Sequence, residues 1–249
     1  MSIAVIRFPG SNCEKESLDA LSTLGISYAL LDWNTTQSLD QFSGFLLPGG
    51  FSYQDRIRAG VIAAKLPLIE ALKHQSKTTK KPILGICNGA QILVESGILS
   101  SSNTLDQIID FNYVNRQRIG FMSDWGFLTP FNAPHNMFLS SLSDHDVLPI
   151  QICHGEGRFV FSTPPISGLK YTSIEGIEHG TFPTTPNGST DNIAAVSNDS
   201  GNILAIMPHP ERSITPSRYP ISIQTYAKKN HLNLINFSAL FKPFKGSSQ

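Results

Sequence analysis

The segment Pro82-Ile83-Leu84-Gly85-Ile86-Cys87-Asn88-Gly89-Ala90-Gln91 constrains the fold more than any other stretch of the chain. Its apolar run reads as a buried strand, and it passes straight into a helical pattern that continues through Leu93 and Val94 to Gly97. No loop fits between the two. The chain must turn sharply at Cys87, and Gly85 and Gly89 permit this in the G-x-nucleophile-x-G pattern, with cysteine in the nucleophile position. Such a turn pushes the side chain out at the strand end, and the N–H groups of the following helix point toward its sulfur, which favours a thiolate. The ordinary alternative for a free cysteine is core packing. Strand, paired glycines and helix together set Cys87 apart, whereas Cys13 and Cys153 carry no such context and are expected only to pack.

The same alternation begins at the N-terminus. Residues 3–8 read as a strand that ends at Pro9-Gly10. Ser11, three residues before Glu14, reads as a capping box for a helix through Leu18, Leu21 and Leu24 that stops at Gly25. Residues 26–31 and 44–47 give two more strands, the latter broken by Pro48-Gly49-Gly50. A longer helical segment is expected from about residue 58 to 73, kinked or restarted at Pro67. Strands alternating with helices define βαβ units, hence an α/β fold with a mainly parallel central sheet flanked by helices. From Tyr113 onward the texture changes to apolar alternation with many turns, so the C-terminal half is expected to be more antiparallel. A hairpin is expected at residues 198–202, and a last helix from about 221 to 241. With no repeat or linker, residues 1–249 are expected to form a single domain, its motifs lying within about 3–213.

Composition excludes several functions. Lys and Arg number 19 against 19 Asp and Glu, so no basic surplus is available to neutralise nucleic acid or an anionic membrane surface. No apolar run is long enough to span a bilayer. Nothing at the N-terminus reads as a leader, so a cytoplasmic location is expected. Three widely spaced cysteines fit neither a disulfide framework nor a metal site, and no metal is expected. Charged residues make up only 15% of the chain, below the usual share of about 25%, which favours a surface that lies against a partner.

A nucleophilic cysteine needs a base, and the base needs an orienter. The apolar strand at residues 203–207 ends in Pro208-His209-Pro210-Glu211, where a carboxylate two residues after a histidine can fix its tautomer. His154, in Cys153-His154-Gly155-Glu156-Gly157, also follows an apolar run, and spacing alone does not separate the two. In Pro48-Gly49-Gly50-Phe51 the backbone N–H groups are unshielded and could hold an oxyanion together with the N–H of Asn88. Phosphate-loop and dinucleotide fingerprints are absent, so ATP or NAD binding of those kinds is not expected.

With these pieces placed, the chain resembles the class I, or triad, glutamine amidotransferases, whose pattern runs P-G-G, G-x-C-x-G-x-Q and then H-x-E after a late strand. The blocks FPGSNCE at 8–14, LPGGFSYQDRIRAG at 47–60, GICNGAQIL at 85–93, HGEGRF at 154–159, PNGS at 186–189 and MPHPER at 207–212 narrow the resemblance. They look like the glutaminase subunits, called subunit I, of phosphoribosylformylglycinamidine synthases. The resemblance implies Cys87 as nucleophile, His209 as base and Glu211 as its orienter. It assigns Gly49, Gly50, Asn88, Gln91, His154, Gly155 and Glu156 to the glutamine and oxyanion pocket. It further implies glutamine as substrate, no cofactor in this chain, and ammonia passed to a large ATP-dependent synthase subunit, which would hold ATP and magnesium, with a third small subunit in the complex. Gln54 departs from the family's usual glycine, and Cys153 from its common alanine. Two other readings stay open: a glutaminase serving a different synthase, and a non-catalytic regulatory or binding subunit.

Overall fold

A computed structural model describes residues 2–100 and 107–245. The last four residues of the expected domain lie outside the described residues. The strands are β1 (Ile3–Arg7), β2 (Tyr28–Asp32), β3 (Phe45–Leu47), β4 (Ile83–Ile86), β5 (Gln107–Phe111), β6 (Tyr113–Val114), β7 (Gln117–Arg118), β8 (Met122–Phe131), β9 (Leu148–His154), β10 (Glu156–Phe161), β11 (Gly168–Thr172), β12 (Ile193–Ser197) and β13 (Ile203–Ile206). The α-helices are α1 (Glu14–Thr23), α2 (Pro67–Thr78), α3 (Asn88–Ser96) and α4 (Ile221–Lys229).

One nine-stranded sheet, in the order β2-β1-β3-β4-β13-β12-β11-β8-β9, organises the molecule. From β2 to β13 every pairing is parallel, and from β13 to β9 every pairing is antiparallel. The expected parallel sheet and antiparallel C-terminal half are therefore both present, in one sheet. The parallel strands β1, β3 and β4 are apolar on both faces and almost wholly buried, as strands covered by helices must be. The expected hairpin joins β12 to β13. The antiparallel half then curls back, because Gln151 on β9 forms a bridge with His209, just beyond β13. The His209 N–H donates to the Gln151 carbonyl at 2.9 Å, so the far edge of the sheet meets the end of a central strand.

Three local expectations need correction. The capping box does not form: Ser11 is drawn into a bridge with Gly50 and its hydroxyl accepts from the Phe8 N–H, leaving Cys13 as the helix N-cap without a side-chain cap. The helical segment expected from about 58 to 73 does restart at Pro67, which stands at the first helical position where its missing N–H costs nothing, but before it only a 3₁₀ turn at Ala63–Lys65 is helical, and the helix runs on to Thr78. The expected C-terminal helix at 221–241 ends at Lys229 instead, because the chain reverses at Asn230 and at His231, whose φ is 57°. The Ile235 N–H then bonds Val147 beside β9, and a 3₁₀ segment, Phe237–Lys245, carries Phe237, Leu240, Phe241 and Phe244 into the core. A continuous α-helix could not bring those rings to the core, and Pro243 interrupts its hydrogen bonding.

The turn from β4 into α3 is packed to contact. A Cβ built on Gly89 would lie 2.0 Å from the Leu47 carbonyl oxygen of β3, whereas one on Gly120 would meet nothing. Gly89→Ala is expected to destabilise the fold by about 3 kcal/mol or more, and Gly120→Ala to change it by less than about 0.5 kcal/mol, as measured by urea denaturation.

Candidate active site

Cys87 sits at the junction of β4 and α3 with φ 51° and ψ −109°, a backbone conformation that costs a non-glycine residue about 1–3 kcal/mol. It is held there by its own N–H on the Ile206 carbonyl (2.8 Å) and by its carbonyl accepting from the Gln91 N–H (3.0 Å). Both bonds tie the turn to regular structure, β13 on one side and α3 on the other. The thiol also donates to the Cys153 carbonyl at 3.7 Å.

The end of β13 delivers the partner group. His209 and Glu211 are buried, and the His209 Nδ1–H donates to Glu211 Oε1 at 2.6 Å. That bond fixes the ring, and the buried Nε2 faces Cys87. Burial opposes the imidazolium, but the Glu211 carboxylate and Cys87 outweigh it and raise the His209 pKa well above the usual histidine value. His154 stands in the opposite condition. Burial, then the positive charge of His209, lower its pKa to about 3, so it is neutral at physiological pH and unsuited to carry a proton. The two histidines thus lie in opposite electrostatic surroundings.

Beside Cys87, three of the other expected residues, Asn88, Gln91 and Glu156, form a connected wall. Asn88 Oδ1 accepts from the Ser52 N–H (3.0 Å), its Nδ2 donates to Gln91 Oε1 (2.9 Å), and Gln91 Nε2 donates to the Glu156 carbonyl (2.7 Å). Gly49 lies against His209: a Cβ there would stand 3.0 Å from its Cε1 and 3.2 Å from Cys13 Sγ. Gly50 is pinned to Ser11 by the backbone bridge. Gly155 contributes through its carbonyl, which accepts from the Asn112 N–H (3.0 Å). The loop after Gly50 is strained, with Tyr53, Gln54 and Asp55 at φ 54°, 61° and 52° and Ile57 at 75°. Gln54 thus occupies a left-handed position, the condition that favours glycine there.

Sequence reasoning did not single out Asp55, Asn112 or Arg212. Asp55 approaches Asn88 Nδ2 (3.4 Å), and burial and the nearby Glu156 raise its pKa to about 6. It lies inside a quoted block, which was the signal available. Asn112 falls between motifs and carries no sequence signal. Arg212 ends the MPHPER block, and its guanidinium reaches Cys13 Sγ and Glu16 Oε1, both at 3.3 Å. Cys13 is buried, and burial with the Glu211 charge raises its pKa to about 12, so it stays a protonated packing residue as expected.

Residues 1–241 match the CobB/CobQ-like glutamine amidotransferase domain, and the chain belongs to that family. A protein of Methanothrix thermoacetophila named phosphoribosylformylglycinamidine synthase subunit PurQ is 41% identical over 236 residues, covering 88% of this chain and 89% of that one. A protein of the same name from Chlorobium luteolum is 36% identical over 222 residues, covering 86% and 90%. The structure of PurLQS from Thermotoga maritima superposes on 100% of this chain and 99% of the matched chain with a TM-score of 0.74 at 26% identity.

Asp55 yields a test of the local electrostatics. Its carboxyl is protonated more readily in the folded chain than in the unfolded one, so ionisation weakens the fold between pH 4 and 6 and the full penalty is present at pH 7. Asp55→Asn is expected to raise stability at pH 7 by about 1 kcal/mol, discounted for its partial exposure, and to have no effect near pH 3.5. Urea midpoints at the two pH values check this.

Proposed function

We propose that this chain is the glutaminase subunit of a phosphoribosylformylglycinamidine synthase: it hydrolyses glutamine to glutamate and supplies the ammonia for amidation of formylglycinamide ribonucleotide in purine biosynthesis. The single observation that carries the chemistry is the buried Glu211–His209 pair set against a cysteine on a strained turn at a helix N-terminus. The relatives' shared name supports the choice of synthase. The whole chain is read as one amidotransferase domain working in the cytoplasm.

The reaction follows from the geometry. Cys87 Sγ attacks the carbon of the glutamine side-chain amide, and the oxygen takes the negative charge. N–H groups of the Gly49-Gly50 loop and of Asn88 stabilise that charge, a kind of donor whose loss costs about 3–4 kcal/mol in comparable sites. His209 takes the thiol proton at Nε2 and gives it to the nitrogen, the C–N bond breaks, and ammonia leaves a glutamyl thioester. His209 then takes a proton from water, the hydroxide adds to the thioester carbon, the C–S bond breaks to release glutamate, and the proton on His209 passes to the sulfur to restore the thiol. Glu211 keeps the ring oriented through both steps. Gln91, His154, Gly155 and Glu156 shape the glutamine pocket.

Ammonia released into water becomes ammonium and is lost as a nucleophile, so the reading requires a partner. A large synthase subunit would hold ATP and magnesium and receive the ammonia, with a third small subunit completing the complex. Among the described residues no helix is long and apolar enough to cross a membrane. The exposed Phe51, Ile57 and Phe121 lie on and near the loop that follows the Gly49-Gly50 turn, with the Phe51 and Phe121 rings 6.4 Å apart. Such a surface supports an interface beside the site.

Cys87→Ser is expected to abolish glutamine-dependent synthesis by the assembled complex and to leave ammonia-dependent synthesis intact; continued use of glutamine would refute the assignment. His209→Ala is expected to slow thioester formation more than His154→Ala, with Glu211→Gln milder than His209→Ala. Glutamate release by the purified chain is expected to rise when synthase subunit, formylglycinamide ribonucleotide and ATP are added, because an interface contact would align the oxyanion donors. Equal rates with and without them would leave a free-standing glutaminase as the better description.

A further inference from the structure

Arg212 follows Glu211 in sequence, and its guanidinium gathers groups from three separate parts of the fold. Nη2 donates to Cys13 Sγ at the head of α1 and to Glu16 Oε1 in its first turn, both at 3.3 Å. Nη1 donates to Gln151 Oε1 on β9 at 3.4 Å. Nε lies 3.9 Å from Glu211 Oε1, the same oxygen that accepts from His209 Nδ1 at 2.6 Å. That Nε and the second oxygen of Glu211 are both buried, and neither has a hydrogen-bond partner among the described residues. Arg212 therefore faces the Glu211 carboxylate as a charge and spends its hydrogen bonds on α1 and β9.

The first effect of this placement is electrostatic. A buried carboxylate opposed only by an imidazole favours the imidazolium so strongly that the ring takes a proton readily and gives it up poorly; a cation 3.9 Å from the carboxylate offsets part of that field. The other groups around the pair do not supply it. From α1 come Cys13, which stays protonated, and the Glu16 carboxylate; from β9 come Cys153 and the neutral His154; from the head of α3 comes Cys87. Of these residues and Arg212, only Arg212 is a permanent cation. The second effect is mechanical. The Asn12 and Cys13 N–H groups donate to the Gly49 carbonyl at 3.3 and 3.2 Å, and a planar trans peptide then aims the Gly50 N–H the opposite way. The Gln151 carbonyl accepts from the His209 N–H at 2.9 Å. Through Cys13 and Gln151, Arg212 grips both the residue that sets the Gly49-Gly50 peptide and the strand that braces the His209 backbone.

Resting on the glutaminase reading, we propose that Arg212 is a positioning residue for the triad: its charge offsets that of Glu211 so that His209 both takes the Cys87 proton and releases it to the departing nitrogen, and its fork holds His209 in register with the Gly49-Gly50 loop. Arg212 acts through Glu211, Cys13 and Gln151, and no proton moves to or from it. Charge and fork are separable. Lysine keeps the first, but a single ammonium cannot hold α1 and β9 while standing against the carboxylate.

The test measures glutamate release against pH in the assembled complex supplied with glutamine, formylglycinamide ribonucleotide and ATP. Arg212→Gln is expected to lower kcat about 10-fold or more with KM nearly unchanged. It is also expected to move both limbs of the pH profile upward by about one unit, because loss of a nearby cation favours the protonated form at each step. Arg212→Lys is expected to restore the profile and only part of the rate. A profile that does not move in Arg212→Gln, one that lysine does not restore, or a rate that lysine restores in full overturns the proposal. A second measurement does not depend on those variants folding. Glu16→Gln alters a partly exposed side chain that shares the guanidinium, and it leaves more of the Arg212 charge to act on Glu211. In the full-length Cys87→Ser chain, the His209 ring followed by ¹⁵N NMR is expected to titrate at lower pH when Glu16→Gln is added, and an unmoved midpoint overturns the proposal equally. A wild-type complex that uses ammonia but releases no glutamate from glutamine removes the glutaminase reading itself, and the His209 titration still reads the effect on the ring.

Discussion

The backbone of Cys87 is the constraint on which the remaining site geometry depends. Its left-handed turn persists because β3, β4, β13 and α3 fix it from several sides at once. The Leu47 carbonyl closes over Gly89, the Ile206 carbonyl takes the Cys87 N–H, and the first turn of α3 takes the Cys87 carbonyl. Remove the packing and the strain relaxes, and the sulfur no longer stands at the head of the helix. The central parallel strands therefore serve mainly as a rigid frame for one unfavourable residue, which matches their complete burial.

Two histidines lie within one pocket and are given opposite characters by what each touches. His209 meets a buried carboxylate, which supports its charge. Burial, and after it the charge of His209, suppress that of His154.

Much of this was legible in the sequence wherever a local rule and the global fold agreed. The β4–α3 turn, the βαβ alternation and the β12–β13 hairpin all follow from periodicity and turn chemistry, and the structure contains each of them. The family resemblance implied an order for the two histidines, on which spacing is silent. The misses share a cause. Ser11 was read as a cap from its distance to Glu14, but a long-range bridge to Gly50 claims that stretch of backbone. The apolar pattern after Ile221 was read as one helix, but the phenylalanines from 237 onward answer to the core and not to the helix axis. Asn112 was invisible because its amide oxygen meets another residue's ring, that of His154 at 3.2 Å, and no spacing rule records that.

The bond from the His209 N–H to Gln151 joins two parts of the chain that come from different halves of the sheet. Cys87 belongs to the parallel half, and His209 is braced by the last strand of the antiparallel half. A fluctuation that peels β9 from its neighbours would loosen His209 while Cys87 stays in place, so local stability at one sheet edge governs how well the two side chains keep their registry.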